Sequence, residues 1–291
     1  MSASVATTRK TSYMDILQYT FFQNALIGII LLSTVAAIIG TYIVTRRMVF
    51  IAGGITHASF GGMGIGYYAG ISPTLAAMAF AILSALGIEQ LSRGNKLRED
   101  SAIAIFWALG MAVGIIFIFL TPGYTPGLTE FLFGNILTIT HTDIALFATY
   151  TVALVIWATV NYRRILYTIF DHDFASTQGI NVKYISTIMT LFIAIGVVLS
   201  IRLVGIMLLI SILTLPQIIA ELHTAEFKKI ILLSGVICLI CNLIGLTISA
   251  IVSIPTGACI VVTLVITYMA SKLLHLINLK IQQNKTLRCK Q

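Results

Sequence analysis

The sequence predicts an all-α, polytopic integral membrane protein with about eight to nine transmembrane helices. Three observations carry that prediction. Hydrophobic residues make up 58% of the 291 positions and charged residues only 10%, where a soluble domain carries roughly 25% charged residues. The apolar residues fall in runs, and a helix needs about 20 of them to cross a bilayer. The basic residues sit at the ends of those runs rather than inside them. The whole chain, 1–291, therefore reads as one transmembrane domain. Its flanking parts are an N-terminal segment (1–22), a cytoplasmic segment (161–183) and a basic tail (279–291).

Residues 1–10 are polar, and 13–22 are mixed enough to lie at the membrane interface. Apolar runs follow near 24–45, 48–69, 72–92, 101–121, 141–160, 184–201, 203–221, 230–252 and 256–277. Several are only a few residues apart, which implies helical hairpins with tight turns. Pro73, Pro122, Pro126 and Pro255 fall at or between run ends, as helix breakers should. Pro216 lies inside a run, where neighbouring protein must satisfy the freed carbonyl. The apolar stretch 130–140 is too short to cross and is a re-entrant candidate. Eight crossings is the alternative count if one short run only re-enters.

Arg and Lys cluster at Arg46–Arg47, at Arg93, Lys96 and Arg98, at Arg163, Arg164 and Lys183, at Lys228–Lys229, and in the tail from Lys272 to Lys290. The loops near 70–72, 121–142 and 253–255 contain none. Positive residues stay on the cytoplasmic side, so the basic loops face the cytoplasm and the others face out. Nine crossings then place the N-terminus outside. The net charge of +8 is accounted for by topology and lipid contact, and no nucleic-acid partner is expected. The first apolar run is a full span, which is not the pattern of a cleavable signal peptide. Four cysteines are too few and too apolar in setting for a disulfide framework. The pair Cys238 and Cys241 lies within a span and reads as packing.

The sharpest chemical signal is His57, an imidazole at mid-length of the apolar stretch 46–70. An ionisable group at that depth is costly and marks function more often than packing. On a helix, Gly54, Ala58, Gly62, Gly66 and Gly70 fall four apart on one ridge, and Gly53, His57 and Gly61 form the next. Small residues at that spacing let a second backbone approach closely, so Gly54, Gly62 and Gly66 are helix-packing positions. Imidazole is a good ligand for zinc, manganese or iron. The plain alternative is a histidine hydrogen-bonded to a neighbouring helix. His141 with Asp143, and Glu99 with Asp100, open runs and read as helix-end groups.

The cytoplasmic segment contains Phe170, Asp171, His172, Asp173, Phe174, Ala175 and, further on, Gly179. Asp171 or Asp173 suits the start of a short helix that Gly179 ends. Such a helix on the cytoplasmic face is a docking element for a partner; an ordinary solvated loop is the alternative. His172 stands between two aspartates, but adjacent side chains on a helix do not converge on one ion. There is no G-x-x-x-x-G-K-[ST] phosphate loop, and neither G-x-S-x-G nor H-E-x-x-H occurs. No catalytic residue is assigned. Energy for uphill transport has to come from another polypeptide.

Taken in order, several stretches resemble the permease subunits of the ABC-type manganese/zinc/iron importers. RRMVF (46–50) through HAS (57–59) resembles an R-x-M segment running through G-D-x-[IL]-[ST]-H-A. EDSAI (99–103) resembles E-D-[ST]-A-I-G-I, and LFGNIL (132–137) resembles L-F-G-N-I-L. FDHDFA (170–175) resembles F-D-x-x-[FY]-A, the family's coupling segment. VGIMLL (204–209) with Pro216 resembles V-G-x-L-L-[IV] ending in proline, and PTGACI (255–260) resembles P-[ST]-G-A-x-I.

This resemblance implies a homodimeric or paired permease in the bacterial cytoplasmic membrane, a cytoplasmic ATP-binding subunit dimer and an extracytoplasmic metal-binding protein. It implies that His57 is the pore histidine. It also implies that the metal ion is cargo rather than a permanent cofactor. One position departs from the pattern. The aspartate the family carries four residues before that histidine is Gly53 here. A site without that carboxylate disfavours manganese most and shifts the expectation toward zinc or ferrous iron. The rival readings are a stand-alone secondary transporter or channel, an intramembrane enzyme using His57, and an ABC importer of a metal chelate.

Overall fold

The computed structural model describes residues 20–92, 97–123, 139–252 and 254–288. The segment before residue 20, Arg93 and Lys96, the 132–137 motif and nearly all of the re-entrant candidate 130–140 lie outside the described residues. Eleven helices account for the rest. They are α1 Thr20–Thr45, α2 Val49–Ala69, α3 Pro73–Ser92, α4 Glu99–Leu120, α5 His141–Val160, α6 Tyr162–Phe170, α7 His172–Thr177, α8 Val182–Ile212, α9 Leu215–His223, α10 Phe227–Val252 and α11 Thr256–Arg288. Among the described residues there are eight candidate membrane spans, the sixth running Val182–His223.

The runs 184–201 and 203–221, expected as separate crossings, have no loop between them and lie within that one stretch. The chain nevertheless turns between them, at Gly205. Its backbone, at φ 74 and ψ 172, is not helical and lies in a region that only glycine adopts readily. A one-residue turn of that kind needs no polar loop. The contacts show that the chain folds back there. Gly196 lies against Ile39 of α1, and the Leu213 carbonyl lies against Gly40. A straight helix rising about 1.5 Å per residue could not place both beside adjacent residues. Between them, Arg202 reaches the opposite end of the bundle and pairs with Asp143 at 3.0 Å.

Pro216 opens α9 rather than interrupting a helix, a position where its missing N–H costs nothing. Gln217, one residue on, is fully buried and donates its side-chain amide to the Ala36 carbonyl at 2.7 Å. A neighbouring helix therefore holds the irregular segment, as a break at membrane depth requires.

The two ends of the bundle follow the charge pattern. At one end Arg46 reaches the Ser186 hydroxyl, and Thr187 donates to Glu89. Tyr162 and Phe170 both lie against Phe227. At the other end Thr140 and Asp143 form a capping box at the start of α5, and Asn24 donates to the Ile139 carbonyl. Asp143 is thus a cap and an ion-pair partner. Glu99 and Asp100 occupy the first turn of α4, where no side chain caps the helix; their contribution there is to the helix dipole.

Candidate functional site

Helix α2 is gripped from two sides because its bulk has been removed. A Cβ on Gly54 would run into Ile103 of α4, and one on Gly62 would run into Ala76 of α3. A Cβ on Gly66 would stand 2.7 Å from the Pro73 Cα. The predicted ridge is therefore shared: its first half meets α4 and its second half meets α3. Gly70 makes no such contact and instead ends α2 in the left-handed conformation at φ 67. On the adjoining ridge a Cβ on Gly61 would stand 2.8 Å from the Gly110 carbonyl oxygen. These approaches bring the α2 and α4 backbones together along most of their length.

His57 lies on the α4 side of this packing. Its ring stacks on the Trp107 indole, with centroids 4.2 Å apart and planes only 9° from parallel. The residue is partly buried, and its Nδ1 is sealed off with no hydrogen-bond partner. Nε2 is not among the sealed atoms. A buried polar atom left without a partner costs about 1–3 kcal/mol, so such an atom calls for an explanation. One turn earlier, Gly53 faces the same seam. A Cβ there would meet Trp107 and the tip of Ile210, each at 3.6 Å. Ile210 belongs to the arm of α8 that returns after Gly205. The surroundings of the imidazole are thus a glycine-rich helix, an indole from α4 and an aliphatic tip from α8.

No three His, Cys, Asp or Glu side chains converge on one point among the described residues. Cys238 and Cys241 are buried and free. Asn242 donates to the Cys238 carbonyl and sulfur, and Cys241 touches Thr267. His223 pairs with Ser271 at 2.8 Å.

Residues 162–177 form a helix–turn–helix. Asp171 ends α6 and caps α7, accepting the Phe174 amide at 2.8 Å. Asp173 falls in the first turn of α7. Ala175 of α7 is fully buried, whereas Phe170 and Phe174 are 65% and 43% exposed. Gly179, at φ 71, closes α7 by donating to the Ser176 carbonyl. The His172 side chain lies outside the described set.

Sequence reasoning singled out His57 and anticipated the close packing at Gly54, Gly62 and Gly66 and the Asp171–Gly179 boundaries. It missed Trp107 and Ile210. Each is one large apolar residue among many, and no local pattern separates them from lipid-facing neighbours.

The fold is that of a multi-pass helical membrane protein with a short helix, α7, outside its spans. Comparison with known proteins agrees. The profile of the ABC 3 transport family matches residues 18–275, and the chain belongs to that family. It is 35% identical over 256 residues to an uncharacterized membrane protein of Synechocystis, covering 88% of this chain and 91% of that one. It is 30% identical over 253 residues to the manganese transport system membrane protein MntC of Listeria monocytogenes, covering 87% and 90%. The solved structure of PsaBC from Streptococcus pneumoniae in complex with Fab superposes with a TM-score of 0.79. The identity there is 27%, and coverage is 90% of this chain and 94% of that one.

Proposed function

We propose that this chain forms the translocation path of an ATP-driven importer of a divalent transition metal ion, with His57 as a ligand on the path. The observation that carries the reading is the imidazole itself: deep in a span, stacked on Trp107 and without a hydrogen-bond partner at Nδ1. A histidine kept only for packing satisfies its nitrogens; one kept to meet passing ions need not. The named metal transport relatives support the cargo class.

A path needs brief ligation, because tight binding stalls release. One imidazole from each of two copies of the chain, facing each other across a dimer, gives such a sparse site. ATP is bound and split by a cytoplasmic subunit dimer that docks on α7, where Phe170 and Phe174 are presented. An extracytoplasmic metal-binding protein delivers the ion at the end marked by Arg202 and Asp143. Zinc or ferrous iron suits the carboxylate-free surroundings of Gly53 better than manganese does. A stand-alone carrier is the rival that partner dependence decides. The test is ATP hydrolysis by the reconstituted complex, compared with Mn²⁺, Zn²⁺ and Fe²⁺. Stimulation by one or more of these ions is expected. Uptake by the purified chain without an ATPase would contradict the proposal.

A further inference from the structure

We propose that Trp107 is a positioning residue for metal passage: its indole fixes the plane of the His57 ring and so aims Nε2 at the ion. The inference rests on the reading of His57 as a path ligand.

Metal-binding histidines are normally oriented through the second ring nitrogen, which donates to a carboxylate or a carbonyl. His57 has no such bond, because its Nδ1 is buried without a partner. Something else has to hold the ring. Gly53 and Gly61, one turn to either side on the same ridge, carry no side chain that could do so. The ring contact made by His57 is the parallel stack on Trp107 at 4.2 Å and 9°. A stacked indole holds the imidazole in one plane by opposing rotation about its Cβ–Cγ bond, and leaves an edge free. With Nδ1 sealed, that edge presents Nε2. Trp107 is itself held, because Gly110, one turn further along α4, packs against the α2 backbone at Ala58. The indole and the imidazole therefore ride on two helices locked together by glycine contacts.

The chain carries a built-in reporter of this arrangement. It has two tryptophans, and the other, Trp157, lies on α5 against Phe192. In the Trp157→Phe chain, reconstituted in lipid vesicles, indole emission comes from Trp107 alone. Co²⁺ is an open-shell ion that quenches indole emission at short range. Saturable quenching by Co²⁺ is expected, with recovery when closed-shell Zn²⁺ competes. Adding His57→Ala should abolish the saturable quench.

In the assembled transporter, metal-stimulated ATP hydrolysis is measured with Mn²⁺, Zn²⁺ and Fe²⁺ in parallel. Trp107→Leu should raise KM for the stimulating ion roughly two- to tenfold, the range expected for a lost aromatic pair, with kcat little changed. Trp107→Phe should restore the wild-type KM. A packing defect alone lowers the amount of competent complex and so moves kcat, not KM. A wild-type KM in Trp107→Leu, or a saturable quench that survives His57→Ala, overturns the positioning role. If His57→Ala impairs transport while Trp107→Leu does not, only the positioning role falls. If His57→Ala transports normally, the ligand reading falls with it.

Discussion

The Gln217 side chain donates to the Ala36 carbonyl across 2.7 Å, and this bond ties the arm that returns from Gly205 to helix α1. Both residues are fully buried. Interhelical hydrogen bonds in membranes are worth about 0.6 kcal/mol on average and at most about 1.7. Gln217 also carries an unpartnered Oε1, so removing the amide relieves one cost while it loses the bond. Gln217→Leu is therefore expected to lower stability by no more than about 1 kcal/mol and to loosen the segment locally. Amide hydrogen exchange over 206–223 should rise in that variant. Unchanged exchange would mean that the bond does not hold the arm.

Gly205 makes a harder demand. A backbone at φ 74 and ψ 172 costs any other residue about 1–3 kcal/mol. Gly205→Ala should lower the yield of folded protein after detergent extraction and shift thermal unfolding downward. A variant as stable as the parent would show that the chain reverses somewhere else.

Helix α7 gives a prediction that separates coupling from folding. Phe174 is 43% exposed and touches Tyr167 edge-on at 5.3 Å, so Phe174→Ala should leave the chain folded. Metal-stimulated ATP hydrolysis by the complex should fall severalfold, and co-purification of the ATPase should weaken. Asp171→Ala removes the cap of α7 and should cost about 1 kcal/mol locally, with the same defect in coupling. Normal stimulation in both variants would place the docking surface elsewhere.

At Gly53 there is room for a Cβ. A Cβ there meets Trp107 and Ile210 at 3.6 Å, an ordinary contact distance. Gly53→Asp should fold and should place a hard oxygen one helical turn from His57. The ratio of Mn²⁺ to Zn²⁺ stimulation is expected to rise. If that ratio does not move, Gly53 does not set the metal preference.

Much of the fold was legible because membrane spans announce themselves by length and by their charged ends. The runs beginning near residues 48, 72 and 141 match α2, α3 and α5 closely; the run ends near Arg46 and Lys183 meet, as do those near Arg163 and Lys228. Helix α7 was legible for local reasons, since Asp171 caps it and Gly179 ends it. The division of 182–223 near residue 202 was legible from the two apolar runs that flank Arg202. The turn itself falls at Gly205, which neither a polar loop nor a proline marks. The partners of His57 were hidden for a related reason. In a helix that is apolar on every side, periodicity does not say which face meets protein and which meets lipid. Trp107 and Ile210 are found only once the helices are packed. Gln217 was overlooked beside Pro216, although a buried amide in an apolar run is a signal that it bonds to another helix.

Metal uptake into vesicles containing the assembled transporter, wild type against His57→Ala, tests the central claim most directly. Loss of most uptake is expected, with ATP hydrolysis in the absence of metal unchanged. Uptake at the wild-type rate in His57→Ala would contradict the account.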